Sequence, residues 1–112
     1  MTGRNIDPTV FQLHAEICKT LSNSTRLMIL NSLRDGEKSV NELAELVGAH
    51  QANVSQHLAV LRQRGVVATR KHGANIYYSV ANPKIIRACD MIREVLFEQL
   101  TKTRELARNI QT

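Results

Sequence analysis

Between Ser39 and Gly65 the chain writes two helices separated by a three-residue turn, and this stretch constrains the fold more than any other. Ser39-Val-Asn-Glu42 is a capping box, in which each end satisfies the other's free backbone N–H. It opens a short helix with Leu43, Leu46 and Val47 as its inward face, and Gly48 stops it. The second helix lies in AHQANVSQHLAVLRQRG, with Val54, Leu58 and Leu61 at core spacing and Gly65 as its end.

The flanking segments extend this pattern in both directions. Residues 1–7 read as a flexible N-terminal arm, and residues 8–112 as one domain. Asp7 caps a first helix with Pro8 in its first turn, and Val10, Leu13, Ile17 and Leu21 recur along it at helical spacing. Ser22-Asn-Ser-Thr25 breaks that helix and caps the next. The second helix carries Leu27, Leu30 and Leu33 and is expected to stop at Asp35-Gly36, with Gly36 as a left-handed cap. After Gly65, VVATRKHGANIYYSV reads as a hairpin. Gly73 supplies the positive φ of its tight turn, and Ile76, Tyr78 and Val80 are expected to alternate inward. Asn82-Pro83 starts a final helix with Ile85, Ile86, Cys89, Ile92, Leu96 and Leu100 as its apolar positions.

The predicted order is helix, helix, helix, helix, hairpin, helix. The fold class is therefore mainly α with a β-hairpin wing, a winged helix-turn-helix. Aromatic residues are only 4% of the chain and Trp is absent, so the core must be built from Leu, Ile, Val and Ala. A net charge of +5 invites a polyanionic partner, because Lys and Arg on phosphates release counterions.

The front of the fourth helix is crowded with amide, hydroxyl and imidazole groups where a solvated helix more often carries Glu and Lys. Gln and Asn pair bidentately with adenine, and Ser both donates and accepts. Gln51, Asn53, Ser55 and Gln56 are candidates for base readout in the major groove of double-stranded DNA. His50 at the cap is a candidate for a phosphate contact, with a plain capping role as the alternative. Arg62 and Arg64 near the helix end, and Arg70, Lys71 and His72 at the hairpin tip, are candidates for phosphate and minor-groove contacts. His57 falls beside the core stripe and reads as a structural histidine.

A final helix from Pro83 to about Arg108 would be roughly 35–40 Å long, against a radius of gyration near ~13 Å for a domain of this size. Its apolar stripe and that of the first helix both need a partner. The expectation is a homodimer through the first and last helices, reading two half-sites of a pseudo-palindromic operator.

LSNSTRLMILNSL, the segment from Ser39 to Val80 and the long last helix together resemble the ArsR/SmtB family of repressors over about residues 10–100. The resemblance implies a dimeric winged helix that represses transcription until an inducer binds. Typical inducers are metal ions, arsenite, or oxidants and reactive sulfur acting on thiols. Two departures narrow the choice. The helix before the recognition helix lacks the Cys-x-Cys of many metal sensors. The last helix holds Asp90 and Glu94 but no His, so the family's usual zinc site is not expected.

What remains as a sensor is Cys18 on the first helix and Cys89 on the last, read as a thiol redox or reactive-sulfur switch. A second reading adds His14, four residues before Cys18, to make a metal or metalloid site of His14, Cys18 and Cys89. A third leaves both cysteines as small buried hydrophobes. No cofactor is expected. No cysteine has a sequence-evident base and no phosphate loop occurs, so an enzyme is not expected. The alternative of another class is a winged-helix module for protein assembly. No apolar run has the length of a membrane span, and the expected location is cytoplasmic, with reduced thiols.

Overall fold

The computed structural model describes residues 6–111. Its elements are α1 (Pro8–Leu21), α2 (Ser24–Ser32), β1 (Lys38–Ser39), α3 (Val40–Val47), α4 (Gln51–Gln63), β2 (Val67–His72), β3 (Asn75–Val80) and α5 (Lys84–Gln111). The backbone divides into two compact units at Asn82/Pro83, and each is described by itself. Most of the expected N-terminal arm lies outside the described residues. Asp7, at its end, caps α1 by accepting the Thr9 N–H at 2.8 Å.

The first unit is built on a core of aliphatic side chains. Ile29 and Leu30 of α2, the following Leu33, Leu43 of α3, Val54, Leu58 and Leu61 of α4, and Val66 and Val67 beside the hairpin are all buried. Three helices that each bury an apolar face against one another hold the unit together, and burial of such side chains contributes about 1.5–3 kcal/mol each. Leu46, expected inward, is 59% exposed. α3 is only eight residues long, and the buried side of so short a helix is filled by Leu43 with Ala44 and Val47 partly covered.

α2 ends four residues before Gly36. The Leu33 N–H turns back onto the Ile29 and Leu30 carbonyls, and Ser32 Oγ donates to the Met28 carbonyl. Gly36, at φ +145°, is not the left-handed cap the sequence suggested. It leads instead into β1, a two-residue strand too short to show any alternation in the sequence. The α4 terminus does follow the glycine rule. The Gly65 N–H bonds to the Arg62 carbonyl and the Val66 N–H to the Leu61 carbonyl, with Gly65 at φ +75°. This pair of bonds is the Schellman arrangement, which directs the chain straight into β2.

The sheet has the order β1-β3-β2, antiparallel throughout. Gly73 at φ +63° and Ala74 form the two-residue connection between β2 and β3, the pattern of a type II′ turn. Of the three β3 residues expected inward, Tyr78 and Val80 are half-buried but Ile76 is 44% exposed, because the hairpin extends beyond the core at that point.

The second unit is one 28-residue helix, roughly 42 Å long at ~1.5 Å per residue. Pro83 stands just outside it and accepts the Ile86 and Arg87 N–H groups through its carbonyl. Among the described residues no helix is long and apolar enough to cross a membrane.

Candidate nucleic-acid interface

The capping box sets the site in place. Ser39 Oγ accepts the Glu42 N–H at 3.3 Å, and Glu42 Oε1 accepts the Ser39 N–H at 3.1 Å. Gly48, left-handed at φ +68°, then turns the chain into α4. His50 is the N-cap residue of α4, but its side chain makes no capping hydrogen bond and is exposed. The imidazole is therefore not occupied by the capping role offered as its alternative.

Val54, Leu58 and Leu61 fix the rotation of α4 about its axis. With those positions buried, Gln51, Asn53, Ser55 and Gln56 are all exposed. Gln51 and Ser55, one turn apart, line an open groove of 320 Å³. Its other walls include Ser39 and Asn41 at the start of α3 and Asn75 and Tyr78 of the hairpin. Asn53 and Gln56 lie outside that groove. The polar wall supplied by Ser39, Asn41, Asn75 and Tyr78 was not singled out in the sequence. Ser39 is hidden there by its capping role, Asn41 by its place inside the capping box, and Asn75 by its place beside the turn.

The register divides the basic hairpin tip between two faces. Side chains alternate along β2, so Val67, Thr69 and Lys71 share one face, and Ala68, Arg70 and His72 share the other. Lys71 shares its face with Ile76 and Tyr78, both of which line the groove. Arg70 lies on the opposite face, where its guanidinium is engaged by Glu37. That guanidinium holds the Glu37 carboxyl below the usual carboxylate range, with a smaller contribution from His72. Arg64 pairs with Glu16 of α1 at 3.4 Å, both side chains more than half exposed. Arg62 is exposed in the last turn of α4.

His57 has a structural partner. Arg26 of α2 donates through Nε to His57 Nδ1 at 3.1 Å and through Nη1 to the Thr20 carbonyl at 3.1 Å. The end of α1, α2 and α4 are thus tied through one guanidinium. Because Nδ1 accepts, the neutral imidazole carries its proton on Nε2. Burial lowers the His57 pKa, and the neighbouring Arg26 charge lowers it further. The unfolded chain therefore takes up this proton at a higher pH than the folded one. Stability from the site is complete above the unfolded pKa and is lost as pH falls toward the folded one. Unfolding experiments between about pH 5 and 8 should show stability falling on the acid side. His57→Gln, which keeps an acceptor but cannot titrate, should flatten that dependence. An unchanged slope would remove His57 from the linkage.

Cys18 is exposed on α1 and Cys89 is buried on α5, both as free thiols. Burial raises the Cys89 pKa. Among the described residues no three His, Cys, Asp or Glu side chains gather as a metal site.

A capped helix, a tight turn, a second helix with a neutral hydrogen-bonding front, and a hairpin with a lysine beside the shared groove define a winged helix-turn-helix DNA-binding regulator. The model of bacterial regulatory proteins of the arsR family matches residues 23–69. The uncharacterized HTH-type transcriptional regulator Rv0081 of Mycobacterium tuberculosis is 41% identical over 93 residues, 82% of each chain. Its crystal structure superposes with a TM-score of 0.76 at 40% identity, covering 87% of this chain and 97% of that one. The homodimeric winged helix-turn-helix DNA-binding domain of Mb0332 from Mycobacterium bovis, solved in solution, gives 0.76 at 30% identity, covering 89% and 94%. The transcriptional repressor BigR from Xylella fastidiosa gives 0.73 at 34% identity, covering 85% and 96%. The chain belongs to the ArsR family of bacterial transcriptional regulators, which are not enzymes.

Proposed function

We propose that the protein is a homodimeric repressor that reads a pseudo-palindromic operator and releases it when its two cysteines are oxidised. The observation that carries the DNA-reading part is the shared groove. Gln51 and Ser55 present donors and acceptors from α4 on one wall, and the hairpin forms the other. Asn53 and Gln56, also exposed on α4, extend the readout surface. Backbone phosphates fall to His50, Arg62, Arg64 and Lys71, and to His72, which shares Arg70's face but sits beside the turn, paired with the groove-lining Asn75. The Arg64–Glu16 pair is exposed, and such pairs exchange readily for a phosphate. Repression is in keeping with the similar protein BigR, itself a repressor.

The switch is supported by the placement of the thiols. The two cysteines of the chain lie one on α1 and one on α5. These helices also carry the long exposed apolar faces, Val10, Phe11, Leu13 and Ile17 on one and Ile92, Leu96 and Leu100 on the other. A two-electron oxidant such as a peroxide converts the exposed Cys18 thiol to a sulfenic acid. Condensation with the Cys89 thiol then gives a disulfide and releases water. A bridge requires Cα atoms about 4.4–6.8 Å apart, so it would hold the two helices in one fixed relation. The alternative metal site of His14, Cys18 and Cys89 has less support, since among the described residues no three His, Cys, Asp or Glu side chains gather.

Fluorescence anisotropy on DNA from upstream of the protein's own gene, at one fixed salt, tests both parts. Tight, sequence-dependent binding when reduced and release on mild oxidation is the expected result. Cys18→Ser and Cys89→Ser should each bind DNA and fail to release it. Equal binding in both redox states would end the thiol switch and leave the DNA reading in place.

A further inference from the structure

Arg70 is the most tightly held cation of the hairpin, and it is held away from the groove. Its Nε donates to both oxygens of the Glu37 carboxylate, each at 3.1 Å, and its Nη2 donates to Oε1 of the same group. The guanidinium carbon stands 5.4 Å from the centre of the Tyr77 ring. The register explains the arrangement. Tyr77 on the central strand β3 pairs with Arg70 of β2 on one side and with Ser39 of β1 on the other. Glu37 is the second residue before Ser39. Arg70 therefore reaches across the face of the central strand, over an aromatic ring, to a carboxylate beyond the far edge.

From this geometry we infer that Glu37, Tyr77 and Arg70 form a brace that fixes the pose of the wing relative to the helix-turn-helix. Arg70 is then a positioning residue, not a phosphate ligand. The inference rests on the DNA-reading role proposed above and refines it, since sequence alone put Arg70 among the phosphate contacts.

Three features favour a brace over a phosphate contact. First, the alternation of β2 places Arg70 on the face opposite Lys71 and the groove. Second, a forked guanidinium–carboxylate pair has a directional geometry that a point charge cannot reproduce. Third, β1 is only two residues long, and Glu37 immediately precedes it. The wing's attachment to the start of α3 thus depends on few backbone bonds, and the side-chain bridge supplements them at that edge.

The brace makes a prediction opposite in sign to simple electrostatics. Removing the Glu37 charge next to a polyanion should, by charge alone, tighten binding and steepen its salt dependence. A brace requires the reverse. Glu37→Gln should weaken operator binding roughly 3- to 30-fold, inside the range of couplings within one side-chain network, with the salt slope unchanged. Arg70→Gln and Arg70→Lys should do the same, because lysine keeps the charge and loses the fork. The double variant Glu37→Gln/Arg70→Gln should be no worse than either single one. In hydroxyl-radical footprints, protection should fade at the flanks contacted by the wing and persist at the centre of each half-site. General loss of fold would not give that pattern.

The idea is overturned if Glu37→Gln binds more tightly, or if Arg70→Gln lowers the salt slope by about one while Arg70→Lys behaves as the wild type. Amide hydrogen exchange across residues 67–80 of the free protein separates this inference from the DNA reading. Faster exchange in Glu37→Gln and Arg70→Gln supports the brace even for a protein with no sequence preference. Unchanged exchange with unchanged DNA binding removes it.

Discussion

Replacing Gln51 and Ser55 together with alanine should abolish preference for the operator while leaving binding to unrelated DNA nearly unchanged. Both residues are exposed on α4 and line the groove shared with the wing. Neither contributes to the core, which on this helix consists of Val54, Leu58 and Leu61. The fold should therefore survive, and a thermal melt of the variant should overlay that of the wild type. A well-made bidentate base contact carries about 1–3 kcal/mol of discrimination. In a two-fold complex each contact occurs twice, so the loss on the operator should be of order 10²-fold or greater, at about 1.4 kcal/mol per tenfold. Non-specific affinity, assigned in the proposal to Arg62, Lys71 and their neighbours, should keep its salt slope. Competition titrations of operator against scrambled DNA, at one salt concentration, measure the ratio directly. If the double variant still selects the operator by the wild-type margin, α4 does not read bases through this face.

The readability of this interface follows from how each part encodes itself. The helix-turn-helix was legible because each boundary is written in a residue with one physical job. Ser39 and Glu42 close a capping box, Gly48 and Gly65 adopt left-handed backbone, and three spaced aliphatics set the rotation of α4. Rotation then decides which polar residues face outward, so Gln51, Asn53, Ser55 and Gln56 were accessible to sequence reasoning. What the sequence obscured depends on pairing between distant strands. Two-residue β1 has no periodic signal, and without it Glu37 has no visible relation to Arg70, 33 positions away. Four adjacent residues from Arg70 to Gly73 look like one basic tip, although strand alternation sends Arg70 and Lys71 to opposite faces. Leu46 and Ile76 were misplaced for a related reason. Apolar character sets a tendency toward the inside, but both sit where a short element extends past the core.

A single charge in the apolar face of α5 should separate the protomers and lose the operator at the same time. Leu96→Glu is the variant of choice. Ile85, Cys89, Ile92 and Leu96 follow one another at alternating spacings of four and three, the pattern of a helix seam that meets another helix. Ile92 is 68% exposed and Leu96 46% exposed in the single chain. On α1, Val10, Phe11, Leu13 and Ile17 are each about half exposed, so each of the two helices carries an open apolar face. Contiguous open apolar surface of this kind marks an interaction site, and the homodimeric state of the similar Mb0332 domain points to a second copy as its occupant. Burying a carboxylate there without a counter-charge costs several kcal/mol, enough to dissociate a dimer of micromolar or weaker affinity. Sedimentation should then show a monomer for Leu96→Glu at a concentration where the wild type is dimeric, and Lys102→Ala, on the same exposed helix, should remain a dimer. The effect on DNA follows from linkage of the half-sites. Tethering two reading heads raises the effective concentration of the second, and overall affinity by about 10²- to 10⁴-fold over either alone. The monomer should forfeit that factor on the full operator and bind an isolated half-site as the wild-type head does. If Leu96→Glu stays dimeric with operator affinity intact, the two-fold interface lies elsewhere. The proposed thiol switch would then lose the structural link from Cys89 to the DNA-reading heads.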